Sequence, residues 1–190
     1  MSIPSNCLRR NRDGCLFVKS TEVISMRKGW FIGILCLISW GWSQATRIVE
    51  VGPGFQMVFR DTYSGTNRTV INRGSSVRWE WRSGYHTTTS YDTLWDAEIS
   101  SANRSFTYTF TDTGTYAYYC IPHEMMGMVG EVKVRLTGDV NFDGCIDDAD
   151  LLTVLFAFGS TGARDEDLNY DRVVDDADLL LVLFNFGSGC

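Results

Sequence analysis

The chain has 190 residues, which is long enough for one or two domains. Its 23 acidic residues outnumber its 17 basic residues, so the formal net charge is −6 at pH 7. The excess lies at the C-terminus: residues 138–190 hold twelve acidic and two basic residues, whereas residues 46–137 hold nine of each. Such an acidic surface repels phosphates, which argues against a nucleic-acid partner.

The first 45 residues predict a targeting segment. Met26-Arg-Lys28 is a short positive stretch, residues 29–42 are mostly apolar, and Ser43-Gln-Ala45 fits a small-residue cleavage site. The apolar run is shorter than the about 20 residues that span a bilayer. We therefore predict a leader over residues 1–45, with Met26 as a candidate true start, cleaved after Ala45. The mature chain is then secreted, periplasmic or on the cell surface, without a transmembrane segment.

Several short strands are predicted after the leader. Gly52-Pro53-Gly54 breaks the chain, and Phe55–Phe59 follows it as an early strand. Apolar and charged residues alternate over Val77–Trp81, and aromatic residues alternate over Ser105–Phe110. Residues 114–119 predict a further strand. This spacing is typical of a mainly β sandwich, which we place over residues 46–137.

A thiol, an imidazole and a thioether lie close together in residues 120–128, directly after the last predicted strand. The chain has only one other histidine, His86, which we place in an earlier loop. Two histidines, one cysteine and a weak axial methionine form the ligand set of a type 1, or blue, copper site. The predicted ligands of one copper ion are His86, Cys120, His123 and Met128. Met126 is the alternative axial ligand, and Pro122, Met125 and Met126 are expected to form an apolar surround.

The Cys-x2-His-x4-Met spacing of this loop resembles that of the cupredoxin family, most closely plastocyanin and pseudoazurin. The resemblance implies a Greek-key sandwich, Met128 as the axial ligand, and electron exchange with a redox protein through the exposed edge of His123. Thr87 stands where plastocyanins carry an Asn that ties the ligand loops together. Tyr119 and Ile121 flank the cysteine, whereas copper oxidases and nitrite reductases carry a histidine there. We therefore expect an electron carrier and no enzyme activity.

A sequence repeat at the C-terminus predicts two calcium loops. Residues 138–152 recur as residues 166–180, and each copy places oxygen ligands at positions 1, 3, 5, 7, 9 and 12 of a loop of EF-hand type. Position 7 contributes its backbone carbonyl. The first set is Asp139, Asn141, Asp143, Cys145, Asp147 and Asp150. The second set is Asp167, Asn169, Asp171, Val173, Asp175 and Asp178. Because these carboxylates repel one another, we expect two calcium ions to stabilise the fold.

Each loop continues into an apolar helix, over residues 151–158 and 179–186. Asp at position 12 and the tandem pairing resemble a type I dockerin, the module that binds cohesin domains. The resemblance covers residues 138–187 and implies an α domain over residues 138–190. It assigns partner recognition to Asp148, Ala149, Asp176 and Ala177. Arg172 replaces the usual Gly at position 6 of the second loop. The helices lack basic residues typical of cohesin binders, so an envelope receptor is the alternative partner.

The remaining cysteines bear on the C-terminal domain. Cys7, Cys15 and Cys36 leave with the leader, and Cys120 is assigned to copper. Cys145 and Cys190 are then predicted to pair in a disulfide, with two free thiols as the alternative.

The whole pattern predicts a secreted electron carrier joined to a calcium-stabilised docking module. Two other functions fit the same residues. One is copper storage or delivery, and the other is a structural secreted adaptor whose metal only stabilises the fold.

Overall fold

The computed structural model describes residues 45–190, so residues 1–44 of the predicted leader, with its three cysteines, lie outside the described residues. Within residues 45–190 the chain forms nine strands and two α-helices. The strands are β1 Thr46–Val51, β2 Phe59–Asp61, β3 Arg68–Asn72, β4 Ser76–Trp81, β5 His86–Ser90, β6 Asp96–Ile99, β7 Ser105–Thr109, β8 Gly114–Tyr119 and β9 Val129–Arg135. The helices are α1 Asp148–Ala157 and α2 Asp176–Asn185. Neither helix is long and apolar enough to cross a membrane.

The strands form two sheets. One has the order β2-β1-β4-β7, and the other has the order β3-β9-β8-β5-β6. The pairs β1–β4 and β3–β9 are parallel, so the chain crosses between sheets rather than running as a simple meander. The predicted mainly β sandwich with two C-terminal helices is therefore confirmed.

An aromatic core fills the space between the sheets. Trp79 is fully buried and contacts Trp95, Phe106 and Tyr118 at ring-centroid distances of 5.3–5.9 Å. Cys120 belongs to the same core, as does Met128. The ligand loop therefore lies on the packed interior, which restrains its side chains.

The predicted strand over Phe55–Phe59 is wrong. Residues 53–55 form a turn of 3-10 helix, and only Phe59 belongs to a strand. Gly52 and Gly54 have φ angles of 69° and 61°, in the left-handed region that glycine adopts without strain. The turn that they create leaves the Phe55 side chain 89% exposed, so its apolar character marks a surface and not a core position.

The C-terminal residues have a separate core, centred on Val154, Leu168 and Val182. The helices begin three residues earlier than predicted, because Asp147 and Asp175 act as N-caps. Each accepts a hydrogen bond from the backbone of the second helical residue and takes part in a capping box.

The C-terminal part packs against the end of the sandwich where β9 finishes. Arg135 donates from Nη1 to the backbone oxygen of Asp165 at 2.6 Å, and Asn72 donates to the backbone oxygen of Leu168 at 3.1 Å. The Lys133 ammonium lies 3.7 Å from the centroid of the Phe142 ring. The ligand loop is at the opposite end of β9, about 20 Å away at 3.3 Å per residue.

Candidate metal centres

The structure brings three of the predicted copper ligands together. His86 Nδ1 and His123 Nδ1 are 3.2 Å apart, and Cys120 Sγ lies 3.7 Å from the first and 3.3 Å from the second. Within residues 45–190 this is the one group of three or more His, Cys, Asp or Glu side chains whose ligand atoms all lie within 4.8 Å of one another. Cys120 forms no disulfide, so its sulfur is available to a metal.

The size of this triangle fits a metal ion. A point equally distant from the three atoms lies about 2 Å from each, and metal–imidazole bonds in zinc sites measure about 2.0–2.1 Å. A thiolate with two imidazoles suits both copper oxidation states. The donor set and its spacing therefore fit copper.

Different elements hold the three ligands. His86 is the first residue of β5 and is 3% exposed, so the prediction that it lies in a loop is wrong. Cys120 directly follows β8, and His123 lies in a turn of 3-10 helix over residues 121–126. Pairing of β5 with β8 at Thr89 and Tyr119 sets the distance between the first ligand and the loop.

Burial separates the two candidate axial methionines. Met128 is fully buried in the same core as Cys120, whereas Met126 is 66% exposed. The structure thus favours Met128. Met125 is 99% exposed, so neither Met125 nor Met126 forms the predicted apolar surround.

Thr87 ties the two ligand segments together. Its hydroxyl oxygen accepts a hydrogen bond from the Ile121 N–H at 2.8 Å, and its own N–H points to Cys120 Sγ at 3.4 Å. The Thr87 hydroxyl in turn donates to the Thr89 hydroxyl oxygen at 3.1 Å, because the Thr89 proton goes to the Asp96 carboxylate at 2.8 Å. A threonine therefore connects the segments where plastocyanins use an asparagine. The sequence marked this position as different but did not show that the bond is kept.

Two glycines enclose the outer edge of the His86 ring. A Cβ on Gly52 would lie 2.7 Å from His86 Nε2, and one on Gly84 would lie 2.8 Å from it. Both residues have positive φ angles. Sequence reasoning treated Gly52 only as a chain breaker and passed over Gly84. The sequence did contain a signal for this role of Gly84, since it is a glycine two residues before the candidate ligand His86.

Burial controls the protonation of the ligands. It lowers the pKa of His86, as does the neighbouring His123, while the Ser83 carbonyl raises it by accepting a hydrogen bond. Burial also raises the pKa of the Cys120 thiol against the lowering effect of the Thr87 and His123 N–H groups. Neutral imidazoles are what a metal requires, and metal binding releases the thiol proton.

The two predicted calcium loops share one hydrogen-bond pattern. Asp150 accepts bonds from the backbone of Val140 and Asn141, and Asp178 repeats this with Leu168 and Asn169. These carboxylates at position 12 are fully buried. Their ligand atoms do not form a cluster as tight as the His-Cys-His group within residues 45–190, so calcium binding stays a prediction.

The other predicted C-terminal residues have clear places. Cys145 and Cys190 are joined in a disulfide. The four predicted recognition residues lie exposed on the first turns of the two helices; they are Asp148, Ala149, Asp176 and Ala177. Beyond them, Phe156 is 87% exposed and Phe184 is 70% exposed. The two helices, which the sequence predicted to be apolar, therefore expose large apolar side chains.

Comparison with known proteins supports the copper domain. Residues 49–135 match the family of copper binding proteins described as the plastocyanin/azurin family. This span covers less than half of the chain and includes all four predicted copper ligands. The matched proteins are electron carriers rather than enzymes, in agreement with the expectation drawn from the neighbours of Cys120.

Individual relatives match over shorter stretches. Plastocyanin of Daucus carota is 53% identical over 36 residues, which are 19% of this chain and 37% of that protein. Plastocyanin of Sambucus nigra is 41% identical over 40 residues, which are 21% of this chain and 40% of that protein. The chain thus spans about two fifths of the length of these curated relatives.

Solved structures of similar proteins include oxidised plastocyanin from Dryopteris crassirhizoma. It has a TM-score of 0.40 and 21% identity over 46% of this chain and 99% of its own. A purple cupredoxin from Nitrosopumilus maritimus has a TM-score of 0.38 and 23% identity over 48% of this chain and 99% of its own. The family match and the His-Cys-His geometry together support copper binding by a blue-copper domain.

Proposed function

We propose that this protein is a secreted, single-electron carrier with a type 1 copper site in its sandwich domain and a calcium-binding docking module at its C-terminus. The observation that carries the first half is the convergence of His86, Cys120 and His123 on one buried point. Copper bound there supplies a one-electron Cu(I)/Cu(II) couple. The protein residues supply the restraint, because strand pairing and the Thr87 bonds hold the ligand atoms in place.

The surface beside His123 suits contact with a redox protein. His123 is half-buried and reaches the surface, whereas His86 is enclosed. A shallow cavity of about 250 Å³ lies next to both rings, and its lining includes Phe55, Met57 and Tyr85. Exposed apolar side chains around the one accessible ligand allow a partner to approach without a strongly charged barrier. We propose that electrons enter and leave at this face.

The copper assignment is tested by loading the purified protein with Cu(II) and recording its visible absorption and electron paramagnetic resonance spectra. We expect an intense blue band from the thiolate and a narrow hyperfine splitting. Cys120→Ser is expected to abolish both. A colourless, slowly exchanging site would contradict the carrier and favour storage or delivery. A Cys120→Ser protein that keeps its full biological function would favour the structural adaptor.

The axial ligand has a matched pair of variants. Met128→Leu is expected to change the band intensities and raise the reduction potential, because it removes a buried thioether. Met126→Leu changes an exposed side chain of the same kind and is expected to leave both unchanged. A larger effect of Met126→Leu than of Met128→Leu would reverse the assignment.

We propose that residues 138–190 hold calcium and dock the carrier to a protein complex or to the cell envelope. The repeated loops and the exposed recognition positions support this role. Thermal unfolding with calcium and with a chelator tests the first half, and a rise in melting temperature with calcium is expected. Calorimetric titration with a purified type I cohesin tests the second. No heat of binding would leave the envelope receptor as the proposed partner.

A further inference from the structure

The two calcium loops differ at position 1, although their sequences are repeats. In the first loop, Asp139 is 3% exposed and receives one hydrogen bond, from the Gly144 N–H to Oδ2 at 3.1 Å. Its Oδ1 is buried and has no hydrogen-bond donor. A buried carboxylate oxygen without a donor is costly unless a cation satisfies it.

The equivalent carboxylate of the second loop is fully satisfied. Asp167 Oδ1 accepts from the N–H groups of Tyr170 at 2.7 Å and Asp171 at 3.2 Å. Its Oδ2 accepts from the Arg172 N–H at 2.6 Å and from the Tyr63 hydroxyl at 2.5 Å. An ionised carboxylate has about four lone-pair sites, so these four donors occupy them. A calcium ion would have to displace at least one donor.

The fourth donor comes from the copper domain. Tyr63 lies between β2 and β3, and its hydroxyl also accepts a hydrogen bond from the Arg164 N–H at 3.1 Å. The sandwich is thus joined to the second loop through Asp167, the residue at position 1 that is also predicted to bind calcium.

Arg172 strengthens the same contact. It occupies position 6 with a φ angle of 76°, where the first loop has Gly144 at 89°. A left-handed backbone strains a residue that carries a Cβ. The Arg172 guanidinium donates to the backbone oxygens of Thr62 at 3.1 Å and Tyr63 at 3.3 Å, and these bonds offset the strain.

The first loop meets the sandwich in another way. Its Phe142 ring lies against the cationic groups of Lys133, Arg68 and Arg135. The hydrogen bonds of its carboxylates, over residues 138–150, all come from the loop itself. The contact between the sandwich and the C-terminal part therefore leaves the carboxylates of the first loop free for a cation, whereas it occupies Asp167 of the second loop.

We propose that the second loop is a latch between the two domains: Tyr63 and Ca²⁺ compete for Asp167, so calcium binds the first loop at least tenfold more tightly than the second. This inference rests on the proposed calcium-binding role and replaces two equivalent sites by one tight and one weak site. By thermodynamic reciprocity, calcium that fills the second loop also weakens the contact between the domains.

The test is calorimetric titration of the copper-loaded protein with CaCl2 after treatment with a calcium-selective chelator. We expect one tight event and one event weaker by tenfold or more. Asp143→Ala and Asp171→Ala are a matched pair, since both residues are exposed, stand at position 5 and make the same loop hydrogen bonds. Asp143→Ala is expected to remove the tight event, and Asp171→Ala only the weak one.

The competing hydroxyl is tested by Tyr63→Phe, which keeps the ring and is expected to strengthen the weak event about tenfold. Tyr91→Phe is the control, because it removes a hydroxyl bonded to another carboxylate, Glu124, at 2.6 Å in the ligand loop region. Equal affinities in the unaltered protein, a loss of the tight event in Asp171→Ala, or an unchanged weak event in Tyr63→Phe would each overturn the latch. No calcium binding would overturn both the latch and the calcium-binding role, while the blue band reports on the copper role separately.

Discussion

Replacing Thr87 by Val isolates the tie between the two copper-ligand segments. Valine has nearly the same shape as threonine and keeps the backbone N–H that points to Cys120 Sγ at 3.4 Å. It removes the hydroxyl that accepts from the Ile121 N–H at 2.8 Å. Thr89 loses one partner but keeps its bond to Asp96 at 2.8 Å. The substitution therefore removes the two hydrogen bonds of the Thr87 hydroxyl, to Ile121 and to Thr89, and leaves its backbone contact with Cys120 in place.

The expected cost follows from the hydrogen bond that is lost. Leaving a buried donor without an acceptor costs about 1–3 kcal/mol. The Ile121 side chain is 52% exposed, so water can reach this region and the lower half of that range applies. We expect Thr87→Val to lower the free energy of unfolding by about 1–2 kcal/mol, and a cost of that size, if it falls on the ligand loop, speeds copper loss about 5- to 30-fold.

Urea unfolding of the copper-free protein measures the first quantity, and decay of the blue band in a chelator measures the second. Thr87→Ser restores the hydroxyl and is expected to recover most of both losses. Thr111→Val is the control, because Thr111 is exposed and its hydroxyl bonds only to the adjacent Asp112. If Thr87→Val unfolds like the unaltered protein and releases copper at the same rate, the tie does not hold the site.

Three further changes have expected outcomes. Gly84→Ala is expected to weaken copper binding at least tenfold in a competition titration, because its Cβ would lie 2.8 Å from His86 Nε2. Glu50→Gln is expected to lower stability by about 0.2–1 kcal/mol at pH 7, and this difference is expected to shrink as the pH falls through the lowered pKa of Glu50, as measured by urea unfolding at each pH. Cys190→Ser opens the loop that its disulfide with Cys145 closes over a separation of 45 residues, and chain entropy puts the loss at about 4 kcal/mol in urea unfolding.

The first two changes have their own controls and limits. Gly65 has a similar φ of 73°, but no atom lies within 4 Å of the position that a Cβ would take there, so Gly65→Ala is expected to cost stability without affecting copper. Equal copper affinities of the two alanine variants would refute the steric argument. Arg60, then Arg82, lowers the pKa of Glu50 through hydrogen bonds. A lowered pKa contributes stability above the unfolded value and loses it as the pH falls, so a difference that grows in acid would contradict the assignment.

The cluster of His86, Cys120 and His123 was predictable because the last two of these residues lie within four consecutive positions. A loop of that length fixes the chemistry locally, and the chain offers only one further histidine, His86. The strand predicted from alternating residues over Val77–Trp81 is also present, and Val77 and Trp79 are buried as the period of two requires. The predicted early strand was wrong because residues 55–59 were expected to be extended directly after the chain break at Gly52-Pro53-Gly54. Two glycines with positive φ angles turn the chain there, and a sequence does not show which glycines adopt that conformation.

Contacts that depend on tertiary packing could not be predicted from the sequence. Tyr63 meets Asp167 across 104 residues of sequence, and nothing near either residue predicts the pairing. Arg172 was noticed as a departure from Gly, but its bonds to Thr62 and Tyr63 gave it a role that the loop pattern lacks. Thr87 is similar, because its hydroxyl reaches a loop 34 positions away.

The position of the latch bears on how a docked carrier would work. A flexible linker lets a carrier search a volume around its anchor, whereas a fixed contact holds it in one orientation. Here Tyr63, Arg135 and Asn72 all bond to the C-terminal part at the end of the sandwich away from His123. A partner bound at the first turns of α1 and α2 would therefore leave the copper face uncovered and hold it at a set angle. Weakening the latch with Tyr63→Phe should then change the rate of electron exchange with a partner in the docked complex, but not with a small inorganic oxidant in solution.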